Sequence, residues 1–312
     1  MHKLMLTFDV EDFVSANEIS ALRTFLEMLE KYELKGIFFI SGHMAEKLGN
    51  FPEILELLRN HEIGFHSSGH SVRPLIAEYA DLRSYKQAYL ISLKRETAHI
   101  NPLTGKAERE GGIYVLQELF KPKRIRAYRA PGMSWTPPNL EALSNLGIEF
   151  DFSSSITTSE PVRYKGITFY PDTFMQHWFG TRHDYQCLLS AVLKRKIAVL
   201  DLHPTQFMHQ KMWDSIYYMG NPSKLLRVPL RSAKETRAMF QKFELLLKQI
   251  SKLRSAGLLE INSNLMTSSK ELTITQDQVQ LCYETSIIWP QKYFKYTPRF
   301  IYAHFKEFFQ IK

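Results

Sequence analysis

Cysteine is scarce in this chain. Its 312 residues hold two, Cys187 and Cys282, too few for a disulfide framework or a thiolate-bound zinc cluster. Long apolar runs are also missing: the longest, such as Gly36–Ile40 and Ile197–Leu202, fall far short of the roughly 20 residues that cross a bilayer. Gly and Pro number 14 each, 44% of residues are hydrophobic and 23% are charged, which excludes a collagen-like fibre, a coiled coil and a disordered chain. A strand pattern beginning at Lys3 leaves no stretch for a signal peptide. The chain therefore reads as cytoplasmic, reduced and soluble.

What is present is an alternation of short apolar runs with longer segments of helical period, the pattern of βα units. Strands are expected at Leu4–Phe8, Gly36–Ser41, Glu62–His66, Arg124–Tyr128, Ile148–Phe152, Ile197–His203 and Leu258–Asn262. Helices are expected at Glu18–Tyr32, Pro52–Arg59, Ile76–Ala98 and Ala233–Ser255, the last stopped by Gly257. Several strands end on a polar or ionisable residue: Asp9, His66, Arg129, Asp151 and His203. In α/β barrels the strand C-termini converge on one face and carry the chemistry, so these five residues point to one assembled site.

His66-Ser67-Ser68-Gly69-His70 sets two imidazoles four residues apart just after a strand. With a carboxylate from elsewhere they make a two-histidine, one-carboxylate metal set that leaves positions open for water and substrate. The acidic residues of Asp9-Val10-Glu11-Asp12 are the available carboxylates.

Together these segments resemble the polysaccharide deacetylase family, the NodB-like, family 4 carbohydrate esterases, over about residues 3–262. Thr7-Phe8-Asp9-Val10-Glu11-Asp12 is similar to the family's first motif, and His66 to His70 to its second. Arg129-Ala130-Pro131 is similar to the third, Asp151 within Phe150-Asp151-Phe152-Ser153-Ser154 to the fourth, and Leu200-Asp201-Leu202-His203-Pro204 to the last. The resemblance implies a distorted (β/α)7-type barrel over 1–265, followed by a polar linker and basic amphipathic extension over 266–312. It also implies a divalent metal, Zn2+ with Co2+, Ni2+ or Mn2+ as alternatives, held by His66, His70 and either Asp12 or Glu11, with Asp12 preferred. By the same resemblance Asp9 is the base, Arg129 its partner, His203 the acid and Asp151 the residue that tunes it. Gly132, through its backbone N–H, and Leu202 are assigned to the substrate or the oxyanion. The first motif departs from the commoner adjacent aspartates, Gly132 stands where many members carry an aromatic, and the fourth motif lacks its usual tryptophan.

The implied activity is removal of an N-acetyl or similar N-acyl group from an amino sugar of a polysaccharide or a lipid-linked precursor. The alternatives are a same-fold amidase or cyclic imidase, and an inactive sugar- or membrane-binding module. Arg129–Asp9 and Asp151–His203 could also be ordinary ion pairs at a barrel rim. Aromatics at His177-Trp178-Phe179 and from Trp213 to Met219 are expected either to line a sugar groove or to pack in the core.

The last 26 residues set five basic residues against one acidic residue, half of the net charge of +8, among nine aromatics. Phe300, Ile301, Phe305, Phe308 and Phe309 share one helical face. That composition suits either peripheral contact with the inner membrane face through 287–312 or a helix docked on the barrel. No basic stripe suggests nucleic acid.

Overall fold

The computed structural model describes residues 2–171, 173–175, 190, 192–214, 217, 226 and 228–311. Its strands are β1 (His2–Val10), β2 (Ile37–Ile40), β3 (Glu62–Phe65), β4 (Ala98–Ile100), β5 (Ala107–Glu110), β6 (Ala127–Tyr128), β7 (Phe150–Asp151), β8 (Val162–Tyr164), β9 (Ile167–Phe169), β10 (Thr173–Met175), β11 (Ile197–Leu202) and β12 (Leu259–Ile261). The main sheet runs β10-β11-β1-β2-β3-β6-β7-β9-β8, with β12 paired to the start of β1, and β4-β5 form a separate hairpin. All its pairs are parallel except β8–β9. This is the α/β class with the curled, barrel-like sheet expected, and among the described residues the pairing does not return from β8 to β10.

Side chains on a strand alternate between faces, and this alternation sorts the residues. Leu4, Leu6, Phe8 and Val10 of β1 face the outer core with Leu22, Phe25, Phe243 and Leu247 of the covering helices. Met5 faces inward with Ile37, Phe39, Ala127, Phe150 and Val199. Burial on both faces is what a parallel sheet between helices requires, and it explains the near-continuous apolar strands. The helix Asn17–Lys31 buries Ile19, Leu22, Phe25, Leu26 and Leu29, one stripe at helical spacing. The helix Ala233–Ser255 opens on a Ser232–Glu235 capping box, and Gly257, at φ +68°, follows its C-terminus as expected.

The helix expected over Ile76–Ala98 is two helices, Ile76–Tyr79 and Tyr85–Glu96, the second capped by Ser84. Between them Asp81 accepts hydrogen bonds from Arg299 N (2.8 Å), Phe300 N (2.6 Å) and the Tyr296 hydroxyl (2.6 Å). A carboxylate at the start of a helix satisfies its orphan amides, and here it pins the helix Ile301–Phe309 to the fold. Ile301, Phe305, Phe308 and Phe309 are buried in the main core, and Phe305 stands edge-on to Trp135 with centroids 4.8 Å apart. The aromatic face that a membrane contact would use is thus packed against protein, which corrects the interfacial expectation for 287–312. No helix among the described residues is long and apolar enough to cross a membrane.

Candidate active site

Register brings the strand ends level. Thr7 pairs with Asp201 and Phe8 with Leu202, so Asp9 and His203 leave neighbouring strands together. Phe65 pairs with Tyr128, so His66 and Arg129 follow side by side. The inward alternation set by Met5, Ala127 and Val199 puts Asp9, Arg129, Asp201 and His203 on one face, above the inner core.

Beyond β1 the chain turns, and Glu11, not Asp12, points to the imidazoles. Glu11 Oε2 lies 3.0 Å from His66 Nε2 and 2.8 Å from His70 Nε2. The nearest ligand atoms of these three buried side chains all lie within 4.8 Å of one another. Each is held from behind. His66 Nδ1 donates to the Arg129 carbonyl at 2.8 Å, His70 Nδ1 lies 2.6 Å from Ser71 Oγ, and Trp213 Nε1 donates to Glu11 Oε1 at 2.8 Å. With its Nδ1 proton given to a carbonyl, His66 turns its Nε2 lone pair inward, the arrangement that metal-ligating histidines share. Two imidazoles and one carboxylate, buried and convergent, fit a divalent cation. Burial alone would raise the Glu11 carboxyl, but His70, His203 and hydrogen bonds from His66 and His70 hold it well below its usual range.

The sequence preference for Asp12 is corrected by its local bonding. Asp12 Oδ1 accepts from Val14 N (3.1 Å) and Ser15 N (2.8 Å), an Asx-type turn leading into the first helix. Its other oxygen faces His209 Nδ1 at 3.5 Å, and burial pushes its carboxyl up to about 6.

Asp9 Oδ1 accepts from Arg129 Nη1 at 2.8 Å, while Asp9 Oδ2 lies 3.7 Å from both His66 Nε2 and His203 Nε2. Arg129 Nη1 also donates to Asp201 Oδ1 at 2.7 Å, Arg129 Nη2 donates to Thr7 Oγ1 at 2.7 Å, and the guanidinium lies 4.4 Å from the centroid of the Phe39 ring. Burial lowers the His203 imidazole, yet Asp201, Glu11 and Asp9 outweigh it and bring it up to about 9.

Asp151 does not meet His203. Phe150 and Phe152 take the inward positions, so Asp151 lies on the opposite face, where its Oδ2 accepts from Ser153 N (3.2 Å) and Ser154 N (3.0 Å). The carboxylate facing His203 beside Asp9 is Asp201, at 4.0 Å. Its signal was in the sequence, because Asp201 and His203 are two apart on one strand and must share a face. The same alternation turns Leu202 into the outer core rather than toward substrate. Gly132 does line the cavity above the site.

Glu96 was missed because nothing local marks it. Its buried carboxylate accepts from Ser67 Oγ, Ser68 N, Tyr79 Oη and Asn139 Nδ2, all at 2.8–3.1 Å, and so anchors the loop that carries both histidines. Trp213, expected in a groove or the core, is buried against Glu11 and His70. His177, Trp178, Phe179, Cys187 and Met219 lie outside the described residues.

Residues 2–150 match the family model described as Polysaccharide deacetylase, whereas no curated protein matches the sequence. Among solved structures the chain is similar to a 4-alpha-glucanotransferase from Thermococcus litoralis, at 14% identity and TM-score 0.51, covering 98% of this chain and 50% of that one. At that identity the likeness is one of fold. It is also similar to the catalytic domain of a peptidoglycan N-acetylglucosamine deacetylase from Eubacterium rectale, at 12% identity and TM-score 0.42, covering 88% and 94% respectively. A CE4 family pseudoenzyme from Bacillus anthracis aligns at 14% identity and TM-score 0.38 over 78% of this chain, which spans 61% of that protein's length. The family match takes in the motifs at Asp9, His66, His70 and Arg129, and on it residues 2–150 belong to the polysaccharide deacetylase family, the one that the motifs resemble.

Proposed function

We propose that the protein is a metal-dependent hydrolase that removes an N-acetyl or similar N-acyl group from an amino sugar of a polysaccharide or a lipid-linked precursor. Family membership supports deacetylase chemistry. The observation that carries the reading is the position of Asp9 Oδ2, 3.7 Å from a nitrogen of the cation-binding cluster at His66 and 3.7 Å from the His203 ring. A base and an acid flank the point where an amide would be attacked.

Glu11, His66 and His70 would hold the cation. Zn2+ suits two nitrogens and one oxygen, with Co2+, Ni2+ or Mn2+ as substitutes. When bound, it supplies Lewis acidity toward the acyl oxygen and the attacking water. Asp9 takes the proton of that water, with Arg129 fixing the carboxylate through Oδ1 so that Oδ2 stays turned to the site. An amine leaves poorly unless protonated, and His203, kept cationic by Asp201, Glu11 and Asp9, supplies that proton. The Gly132 backbone N–H is the nearest candidate donor to a developing oxyanion, on a turn that borders the cavity.

The test is acetate release from oligomers of N-acetylglucosamine by zinc-loaded protein, with chelated protein and Asp9→Asn as controls. Release that stops in both supports the proposal. Release at full rate after chelation, or ring-opening of cyclic imides with no acetate from sugars, overturns it.

A further inference from the structure

Residues 287–312 look like an appendage in the sequence, yet the helix Gln276–Phe294 reaches the cavity above Glu11 and His70. That cavity measures about 620 Å³, within the range of small-ligand sites and several times larger than an acetyl group needs. Its two walls differ. The sheet side offers Asp9, Glu11, Asp201 and His203, while the helix side offers Ile288, Trp289 and Tyr293.

Trp289 is seated there by construction. Gly132 has φ +56°, and a Cβ on it would fall 2.4 Å from the indole, so only glycine lets the ring lie on this turn. Phe294 backs the indole edge-on with centroids 5.0 Å apart, and the indole in turn stands 5.9 Å from the His70 ring. Ile288 and Tyr293 beside it are 58% and 45% exposed, apolar surface that no packing in the fold explains.

A pyranose is amphipathic in the same sense as the cavity, with hydroxyl and acetamido groups at its edge and C–H bonds on its faces. We propose that the helix Gln276–Phe294 is the wall that orients the substrate. Trp289 takes a C–H face of the N-acylated ring, and Ile288 and Tyr293 take the neighbouring unit of the same saccharide. The ligand class rests on the deacetylase reading, whereas the contact with Trp289 rests on the cavity alone.

The test compares the full chain with Trp289→Ala, Trp289→Phe and Ile288→Ser, using the monomer and trimer of N-acetylglucosamine. Zinc-loaded protein gives KM and kcat, and metal-free protein gives trimer binding by saturation-transfer NMR. Trp289→Ala is expected to raise KM about tenfold with little change in kcat, and to weaken trimer binding to the same degree, as loss of an aromatic contact would. Trp289→Phe should recover most of that loss. Ile288→Ser, at an exposed position, should raise KM for the trimer and not for the monomer, and it carries the test if Trp289→Ala fails to fold. Unchanged KM and binding in these variants overturn the inference while leaving deacetylation standing. Trimer binding that depends on Trp289 without acetate release leaves the inference standing and overturns deacetylation. A wild-type protein that neither binds nor cleaves the trimer overturns both.

Discussion

Arg129 and Asp201 form a fully buried ion pair, Nη1 to Oδ1 at 2.7 Å, and the same guanidinium nitrogen holds Asp9 at 2.8 Å. Removing one partner of such a pair leaves a buried charge poorly compensated, although here Asp9 remains to share it. Asp201→Asn is therefore expected to cost about 3 kcal/mol of stability in denaturant unfolding. It also removes the largest of the attractions that raise His203 to about 9. A histidine that acts as an acid must be protonated, so the alkaline limb of kcat/KM should move to lower pH in the variant. A limb that stays in place would detach His203 from Asp201.

The two acidic residues after Val10 separate by metal affinity. Glu11 Oε2 touches both imidazoles, whereas Asp12 spends Oδ1 on the amides of Val14 and Ser15. Calorimetric titration with Zn2+ should find Glu11→Gln weakened by at least about 100-fold, because even outer partners of metal ligands account for 10–100-fold. Asp12→Asn should keep its affinity within a few-fold and lose stability instead. Equal losses in the two variants would mean that the carboxylates share the ion.

The legible part of this site is the part that lies on strands. Asp9, His66, Arg129 and His203 end parallel strands, and parallel strands with buried faces announce themselves as apolar runs whose last residues must meet. Asp201 was equally accessible through its two-residue spacing from His203, and the same alternation excludes Asp151 and Leu202. Off the strands legibility ends. Whether Glu11 or Asp12 turns inward depends on which side chain satisfies the amides of the following turn, a local competition that spacing does not decide. The helical period over Ile76–Ala98 gave no hint that Asp81 breaks it, because its partners, Tyr296, Arg299 and Phe300, lie more than 200 residues away. Glu96 and Trp289 were hidden for the same reason: their roles are long-range contacts of residues that look ordinary locally.

His61 gives a pH dependence remote from the site. Burial, aided by Lys123 and Lys35, lowers its imidazole to about 4, and its Nδ1 accepts from Gly36 N at 3.2 Å, so the folded protein keeps it neutral. The unfolded chain binds a proton near pH 6.5 and the folded chain only near 4. Between those values the unfolded state holds more protons, and stability must fall as pH falls. Full protonation of this one residue is worth about 3 kcal/mol. Chemical unfolding at pH 7, 5.5 and 4.5 should show a shallower decline in His61→Gln than in the wild type. Parallel declines would assign the acid sensitivity to other groups.

The turn at Gly132 and the helix that carries Trp289 should be coupled energetically. Gly132→Ala places a Cβ in left-handed backbone at a cost of about 1–2 kcal/mol and drives it against the indole. In Trp289→Ala the indole is gone, so the same glycine substitution meets only the backbone strain. The double variant is therefore expected to be more stable than the sum of the single losses by about 1 kcal/mol or more, an interaction well outside the few tenths found for independent sites. The sign matters as much as the size, because an alanine that merely loosened the turn would give additive losses. Trp289 is joined to the rest of the site chiefly through this seat, so strict additivity would mean that the helix Gln276–Phe294 does not rest on the catalytic turn in solution.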